Sequence, residues 1–247
     1  MKKSTIGVLG IGEVGQAIVK IFSENFNVLK KDLKFDELKN NKIEVLHVCI
    51  PFNKSFINEV KNLSWECKPD LIIIHSTVSP GTTQKVYKET KIPTVHSPVM
   101  GTHPNLKRDI KFFTKFIGPV NAKAAQLAKK HLGDVGIKSQ VLKSPFETEL
   151  GKLFDTTYYA WNIVFNKNVH LICKELGADF ENVYTIFNQV YNQGYSQTKP
   201  NVLRPIIKYQ KGQIGGHCLI PNAKILQNFK NNSLTRYIIS ENLKLKR

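Results

Sequence analysis

The stretch that most limits what this chain can become lies near its start. The apolar run TIGVL, residues 5–9, ends in Gly10-Ile11-Gly12-Glu13-Val14-Gly15 and opens into the helical pattern VGQAIVKIF. Strand, glycine turn and helix in direct succession turn a helix N-terminus towards an anion. The first glycine permits the tight turn, the second lets backbone N–H groups approach a pyrophosphate, and the third lets helix pack on strand. A glycine turn alone is weak evidence, because such turns also arise for purely structural reasons. Here a second strand over residues 26–30 is followed by Asp32, at the spacing of a carboxylate that accepts hydrogen bonds from an adenosine ribose. The combination predicts dinucleotide binding by Gly10, Ile11, Gly12, Glu13, Val14, Gly15 and Asp32. Asp32 argues for NAD, since a carboxylate repels the 2′-phosphate of NADP. Lys30, Lys31 and Lys34 keep NADP as the alternative, although a solvated strand end also explains them.

The alternation continues along the next hundred residues. Strand-like runs over residues 44–50 and 71–75 flank a helical segment at 56–63, and further strands are expected at 94–99, 115–117 and 137–142, with a helix at 122–131. Repeated strand-helix units predict an α/β fold, a Rossmann-type doubly wound parallel sheet, with a boundary near Ser144-Pro145. The dinucleotide-binding domain is thus expected over residues 1–144 and a mainly helical substrate and dimerisation domain over 145–247. Pro51, Ser76 and Thr77 each follow a strand's carboxyl end, where open sheets bind ligands, and join the cofactor-facing set. Thr77 can also reach a reacting oxygen; its loop, STVSPGTT, reads equally as a hydroxyl-rich cap on a helix starting near Thr82. A second loop, HSPVMGTH, offers Ser97, Met100, Gly101 and His103 as substrate contacts. His47, Cys49 and His75 sit within strand runs and read as core or edge residues, and no metal site is expected.

The longest helical pattern runs over residues 147–179, with apolar side chains at Leu150, Leu153, Trp161, Val164, Leu171 and Leu176 and a stop at Gly177. It predicts a spine between the two domains, with Lys152 near its start, where two halves of an active site are expected to meet. Beyond it Asp179 caps a helix over 180–191, an irregular polar segment carries Arg204, and Gly215-Gly216-His217-Cys218 precedes Asn222. A cysteine after two glycines has open backbone around it, and a neighbouring histidine or helix N-terminus lowers a thiol pKa. A structural cysteine fits the same residues.

The net charge of +17 favours an anionic partner, yet only four of the 36 basic residues are arginine and the lysines are scattered. With no recognition-helix or RNA-module pattern, nucleic-acid binding is not expected. The longest purely apolar run spans four residues, 71–74, so no membrane span is expected. The four cysteines form no CxxC pair, and Met1-Lys2-Lys3 leads straight into a strand, which together predict a cytoplasmic protein.

Taken in order, GIGEVG, STVSPGTT, ETELGKLF…NIVFN and GGHC resemble the UDP-glucose/GDP-mannose 6-dehydrogenase family, with GGHC nearest its UDP-N-acetylmannosamine branch. The resemblance spans nearly the whole chain. It implies a two-step NAD-dependent oxidation of a sugar alcohol to a carboxylate through a thioester, with Cys218 as nucleophile, Lys152 as the cation that stabilises oxyanion charge, and Thr77 as a polar contact. Val99 stands where the family has a glutamate, Thr156 where it has asparagine, and Asn222 where it has aspartate. With 25 residues after Asn222, the chain is expected to lack the family's third, nucleotide-sugar-binding domain. Thr156, His217 and Asn222 join the substrate candidates, and a homodimer through the spine stripe of Trp161, Val164 and Phe165 is expected. Two alternatives stand beside this reading. The loop SPVMG also resembles the β-hydroxyacid dehydrogenases, which imply a single hydride transfer assisted by Lys152, and an NAD-binding regulatory or partner protein without turnover fits the cofactor motif alone.

Overall fold

The computed structural model describes residues 3–102 and 104–245; His103, one of the expected substrate contacts, lies outside them. Two compact units emerge, Met1–Lys152 and Leu153–Arg247.

The first unit is a sheet of eight strands in the order β3-β2-β1-β4-β5-β6-β7-β8. In chain order these are β1 (Thr5–Leu9), β2 (Asn27–Asp32), β3 (Phe35–Asp36), β4 (Val45–Val48), β5 (Leu71–Ile74), β6 (Thr94–His96), β7 (Lys115–Pro119) and β8 (Ser139–Val141). Helices α1 (Glu13–Phe22), α2 (Phe56–Cys67), α3 (Thr82–Thr90), α4 (Leu106–Phe112) and α5 (Ala122–Gly133) connect them. The central strands are apolar on both faces, as parallel strands covered by two helix layers must be. Ile6, Val8, Val45, Leu71 and Ile73 pack with α1 and α5 residues such as Ile18, Phe22, Ala128 and Leu132. Their alternates Leu9, Leu46, Val48, Ile72 and Ile74 pack with Phe56, Val60 and Val86 of α2 and α3.

The expected doubly wound parallel sheet is present, and two of its pairings, β2–β3 and β6–β7, run antiparallel. The β2–β3 hairpin spans two pairs only, Lys31 with Asp36 and Asp32 with Phe35, too short to leave a period-two signature. Strand order reverses between β1 and β4, so the carboxyl edge beside these two strands is the switch point at which open sheets bind ligands.

Helix α6 (Pro145–Leu176) is the spine. It closes where Gly177 adopts φ +69° and the Ala178 N–H reaches the Cys173 carbonyl at 2.8 Å. The expected apolar stripe is corrected along its length. Leu153, Ala160 and Val164 are buried, whereas Trp161, Leu171 and Leu176 are exposed, the last by 75%. Buried positions between them are polar and satisfied: Thr157 bonds the Leu153 carbonyl, Asn166 the Ile207 carbonyl, and Lys167 the Gln210 and Gly212 carbonyls. The bonds of Asn166 and Lys167 tie the irregular segment after residue 203 to the helix.

The second unit adds a π-helical turn (Glu181–Ile186) running into α7 (Phe187–Tyr195), then α8 (Leu219–Phe229) and α9 (Ser233–Lys244). Asp179 caps the turn by accepting from the Asn182 N–H at 2.8 Å. Ala160, Val164, Ile214 and Ile238 form its core. Helix α8 escapes a sequence reading because Pro221 lies in its first turn, a position that needs no N–H donor but reads as a break.

Candidate active site

The glycine turn has the geometry its sequence demands. Gly10 sits at φ +90° with its N–H on the Lys31 carbonyl at 2.8 Å, tying the turn to β2. A Cβ on Gly15 would lie 1.9 Å from the Gly10 carbonyl oxygen, so α1 can approach β1 this closely only with glycine there. At Gly12, the N-cap of α1, a Cβ would meet nothing within 4 Å. That bare, open backbone at a helix N-terminus is a cradle a phosphate can enter. Asp32 ends β2, and its carboxylate accepts from the Ile11 N–H at 2.5 Å and the Leu33 N–H at 2.7 Å. The Ile11 bond first, then that of Leu33, holds its carboxyl below the usual range, so it is an anion at neutral pH. Lys30 pairs with Glu37 at 3.3 Å and Lys31 with Asp36. Val14 is half-buried against the core, while Glu13 and Pro51 are exposed. These residues fit a dinucleotide.

The two loops beyond β5 and β6 are pinned by buried polar groups. Ser76 Oγ donates to the Ile50 carbonyl at 2.6 Å, which orients the half-buried Thr77 beside it. Glu149 of α6, fully buried, accepts from the Gly81 N–H at 2.6 Å and the Thr83 N–H at 2.8 Å and so caps α3. Burial raises its pKa, and the N–H groups of Thr83 and Gly81 oppose that rise. His96 bridges the loops, with Nε2 3.2 Å from the Ser76 carbonyl and Nδ1 2.9 Å from Thr148 Oγ1. The carbonyl can only accept, so Nε2 carries the proton. Ser97 is buried with its hydroxyl on the Phe116 carbonyl at 2.7 Å, Met100 is half-buried, and Gly101 is exposed at φ +131°. Lys152, one turn beyond Thr148 on α6, is half-buried and acts electrostatically on His96 and Lys115.

In the second unit Cys218 is exposed at the N-cap of α8, with His217 exposed beside it. Gly216 precedes them at φ +80°, which favours glycine. Asn222, one turn into α8, donates to Thr156 Oγ1 at 3.3 Å, and both are buried. The uncharged residues at these two expected substrate positions therefore satisfy each other. Arg204 is exposed, its guanidinium 3.6 Å from the Tyr191 ring centroid, a cation–π contact away from Cys218 in sequence and held by its own partners.

Residues 147–244 match the central domain of the UDP-glucose/GDP-mannose dehydrogenase family. Along 215 residues, 81% of this chain, the sequence is 25% identical to UDP-N-acetyl-D-mannosamine dehydrogenase of Methanococcus vannielii. Over residues 147–244 the chain is similar to that central domain, and over most of its length to this relative. It spans about half the length of the curated relatives it matches, 46% of the Methanococcus vannielii protein and 48% of its Methanocaldococcus jannaschii counterpart. The solved structure of UDP-D-ManNAc dehydrogenase from Pyrococcus horikoshii superposes with a TM-score of 0.80 at 19% identity, covering 98% of this chain and 68% of that one. The 3-hydroxyisobutyrate dehydrogenase of Mycobacterium tuberculosis superposes at 0.72 and 12% identity, covering 99% and 94%. At these identities both establish the Rossmann-type fold alone, whose carboxyl edge is where open sheets bind ligands.

Sequence reasoning missed the groups that hold this edge together: Lys115, Thr148, Glu149 and the buried role of His96. Glu149 carried a usable signal, an acidic residue three positions before a lysine on an otherwise amphipathic face. Lys115 carried none, because a lysine opening a short strand is ordinarily a solvated end.

Proposed function

We propose that this chain is the catalytic part of an NAD-dependent dehydrogenase that oxidises an alcohol of an anionic, sugar-derived substrate, with UDP-N-acetyl-D-mannosamine the first candidate to test. The observation that carries the reading is Asp32, an anion at the end of β2 fastened to the glycine turn through the Ile11 N–H. An anion there accepts ribose hydroxyls and repels a 2′-phosphate. The pairing of Lys30 with Glu37 and Lys31 with Asp36 leaves that preference for NAD intact.

A bound nicotinamide supplies the hydride acceptor. Gly12 and the α1 N-terminus would hold the pyrophosphate, and Asp32 would orient the ribose. Thr77 contacts the reacting region, and the Lys152 ammonium stabilises alkoxide as the alcohol loses its proton. In a second oxidation the Cys218 thiolate adds to the aldehyde carbon, a C–S bond forms, hydride departs, and a thioester remains until water releases the carboxylate. The balance is two NAD and one water consumed per alcohol. A second reading, one hydride transfer assisted by Lys152, is favoured by the Thr156–Asn222 pair, which has no carboxylate to activate water.

Turnover stoichiometry separates the readings. Two NADH per substrate, with Cys218→Ser stopping at the aldehyde, supports the thioester route; one NADH and an indifferent Cys218→Ser selects the second. NADH binding without turnover on a panel of UDP-sugars and hydroxyacids would leave a binding protein. A cytosolic setting and a homodimer belong to the proposal. Trp161, Phe165, Ile172 and Leu176 share one exposed face of α6, from 38% to 75% exposed, which a second copy would cover. A monomer in gel filtration at micromolar concentration counts against that part.

A further inference from the structure

Lys115 opens β7 with its side chain sealed from water, 5% exposed. Lysines are almost never so buried unless paired. Its Nζ donates to the Ser97 carbonyl at 2.8 Å and the Pro98 carbonyl at 3.0 Å. The Ser97 oxygen takes a second buried donor, His75 Nδ1 at 3.0 Å. Behind His75 the same logic runs on: His47 Nδ1 lies 2.9 Å from His75 Nε2, and His47 Nε2 lies 2.9 Å from His131 Nε2. Because a carbonyl only accepts, His75 must donate from Nδ1, His47 must donate to His75, and His131 must donate to His47. One carbonyl at the end of β6 is thus held from two sides by buried donors, and removing either would leave a buried acceptor short of a bond.

That carbonyl begins residues 97–101, the loop at the carboxyl edge beyond β6, where open sheets bind ligands. We propose that Lys115 is a positioning residue for the oxidation, its ammonium fixing the Ser97 and Pro98 carbonyls and thereby the backbone of residues 97–101 in the form that meets substrate. The inference rests on the dehydrogenase reading for its purpose, but its geometry is testable apart from it.

The groups around Lys115 make the clamp sensitive to pH. Cys49 beside β4 and Lys152 on α6 act on it, and it acts on His47, His75 and His96. Burial keeps the three histidines neutral, and pushes the Cys49 thiol up to about 12, so the nearby charge is the like charge of Lys152. Burial pushes the Lys115 ammonium down to about 7, and the like charge of Lys152 assists. Above that pH two charge-assisted hydrogen bonds become neutral ones, roughly half as strong.

Amide hydrogen exchange of the full chain, read at residues 99–102 and corrected for the intrinsic pH dependence, tests this. The native chain is expected to exchange there about 10-fold faster at pH 9 than at pH 6, and Lys115→Met fast at both. Lys115→Arg, charged throughout this range, is expected to stay slow at both. A loop equally protected at both pH values in the native chain, or in Lys115→Met as in the native chain, overturns the proposal; the native profile decides alone if a variant fails to fold. NADH titration of the same samples by fluorescence reports on the dehydrogenase reading separately. Binding with an indifferent loop sinks only the clamp, and a clamped loop without binding sinks only the reaction it serves.

Discussion

The carboxyl edge of the sheet and the segment around Cys218 both carry expected chemistry, yet they are built by opposite means. At the sheet edge each loop is fastened by groups with almost no exposure: Glu149 on the α3 N-terminus, His96 between the Ser76 carbonyl and Thr148, Lys115 and His75 on the Ser97 carbonyl. Residues 215–218 are all exposed. The first region fixes its geometry by excluding water from polar groups, which makes it pre-organised and also acid-sensitive. The second keeps its cysteine available. Two glycine sequences express the same contrast, since Gly15 is required by contact with the Gly10 carbonyl, whereas a Cβ at Gly215 would meet nothing within 4 Å.

Acid provides the largest test. His47 and His75 are held well below their ordinary pKa by burial, His96 is pushed down to about 3 and His131 to about 4. These groups bind protons in the unfolded chain below about pH 6.5 but not in the fold, so their stability is full above 6.5 and is lost as pH falls towards the folded values. By pH 5 each costs on the order of 2 kcal/mol, together comparable with the whole stability of a domain. All four lie in the first unit. Hydrogen exchange between pH 7 and 4.5 is therefore expected to show residues 5–141 losing protection while α8 and α9 keep theirs; simultaneous loss in both units would break the contrast.

Next in size is Gly15→Ala. A Cβ at 1.9 Å from a backbone oxygen cannot be relieved by a rotamer change, so helix or turn must shift, and at least about 3 kcal/mol of stability is expected to be lost in urea unfolding. Gly12→Ala sharpens the point. It leaves unfolding within about 1 kcal/mol, because its φ of −70° suits alanine. The added methyl stands in the cradle, and NADH affinity is expected to fall at least about 10-fold, or 1.4 kcal/mol. Equal affinity for Gly12→Ala and the native chain would remove the pyrophosphate from this turn.

How far the sequence carries differs between the same regions for a physical reason. The strand-turn-helix start, the central strands and the spine announce themselves through periodicity and glycine, because apolar burial on two faces and positive φ each restrict residue type. β1 runs from Thr5 to Leu9 as expected, and Gly177 ends the spine. Pairing direction leaves no such trace, hence the unforeseen antiparallel β7. Nor do buried polar bonds: Lys115, Glu149 and Thr156 are residue types that are usually solvated, and only the fold brings them to carbonyls, N–H groups or an amide. Val164 was expected in an exposed stripe because helical spacing locates a face without saying which neighbour covers it; here Ile214 and Ile238 do.

The smallest effects lie in the open segment. Gly216→Ala places a side chain at φ +80° and is expected to lower the stability of the second unit by about 1 kcal/mol. Gly215→Ala adds a methyl to open space and is expected to stay within about 0.5 kcal/mol of the native chain. Cys218 supplies the readout, being the exposed cysteine while Cys67 and Cys173 are buried and the Cys49 thiol is pushed to about 12. One fast equivalent of iodoacetamide, unchanged in rate in Gly215→Ala and abolished in Cys218→Ser, is the expected result. A tenfold slower reaction in Gly215→Ala would mean that this backbone, like the turn at Gly15, is constrained by more than its own conformation, and the contrast between a fixed edge and an open cysteine would narrow to one of degree.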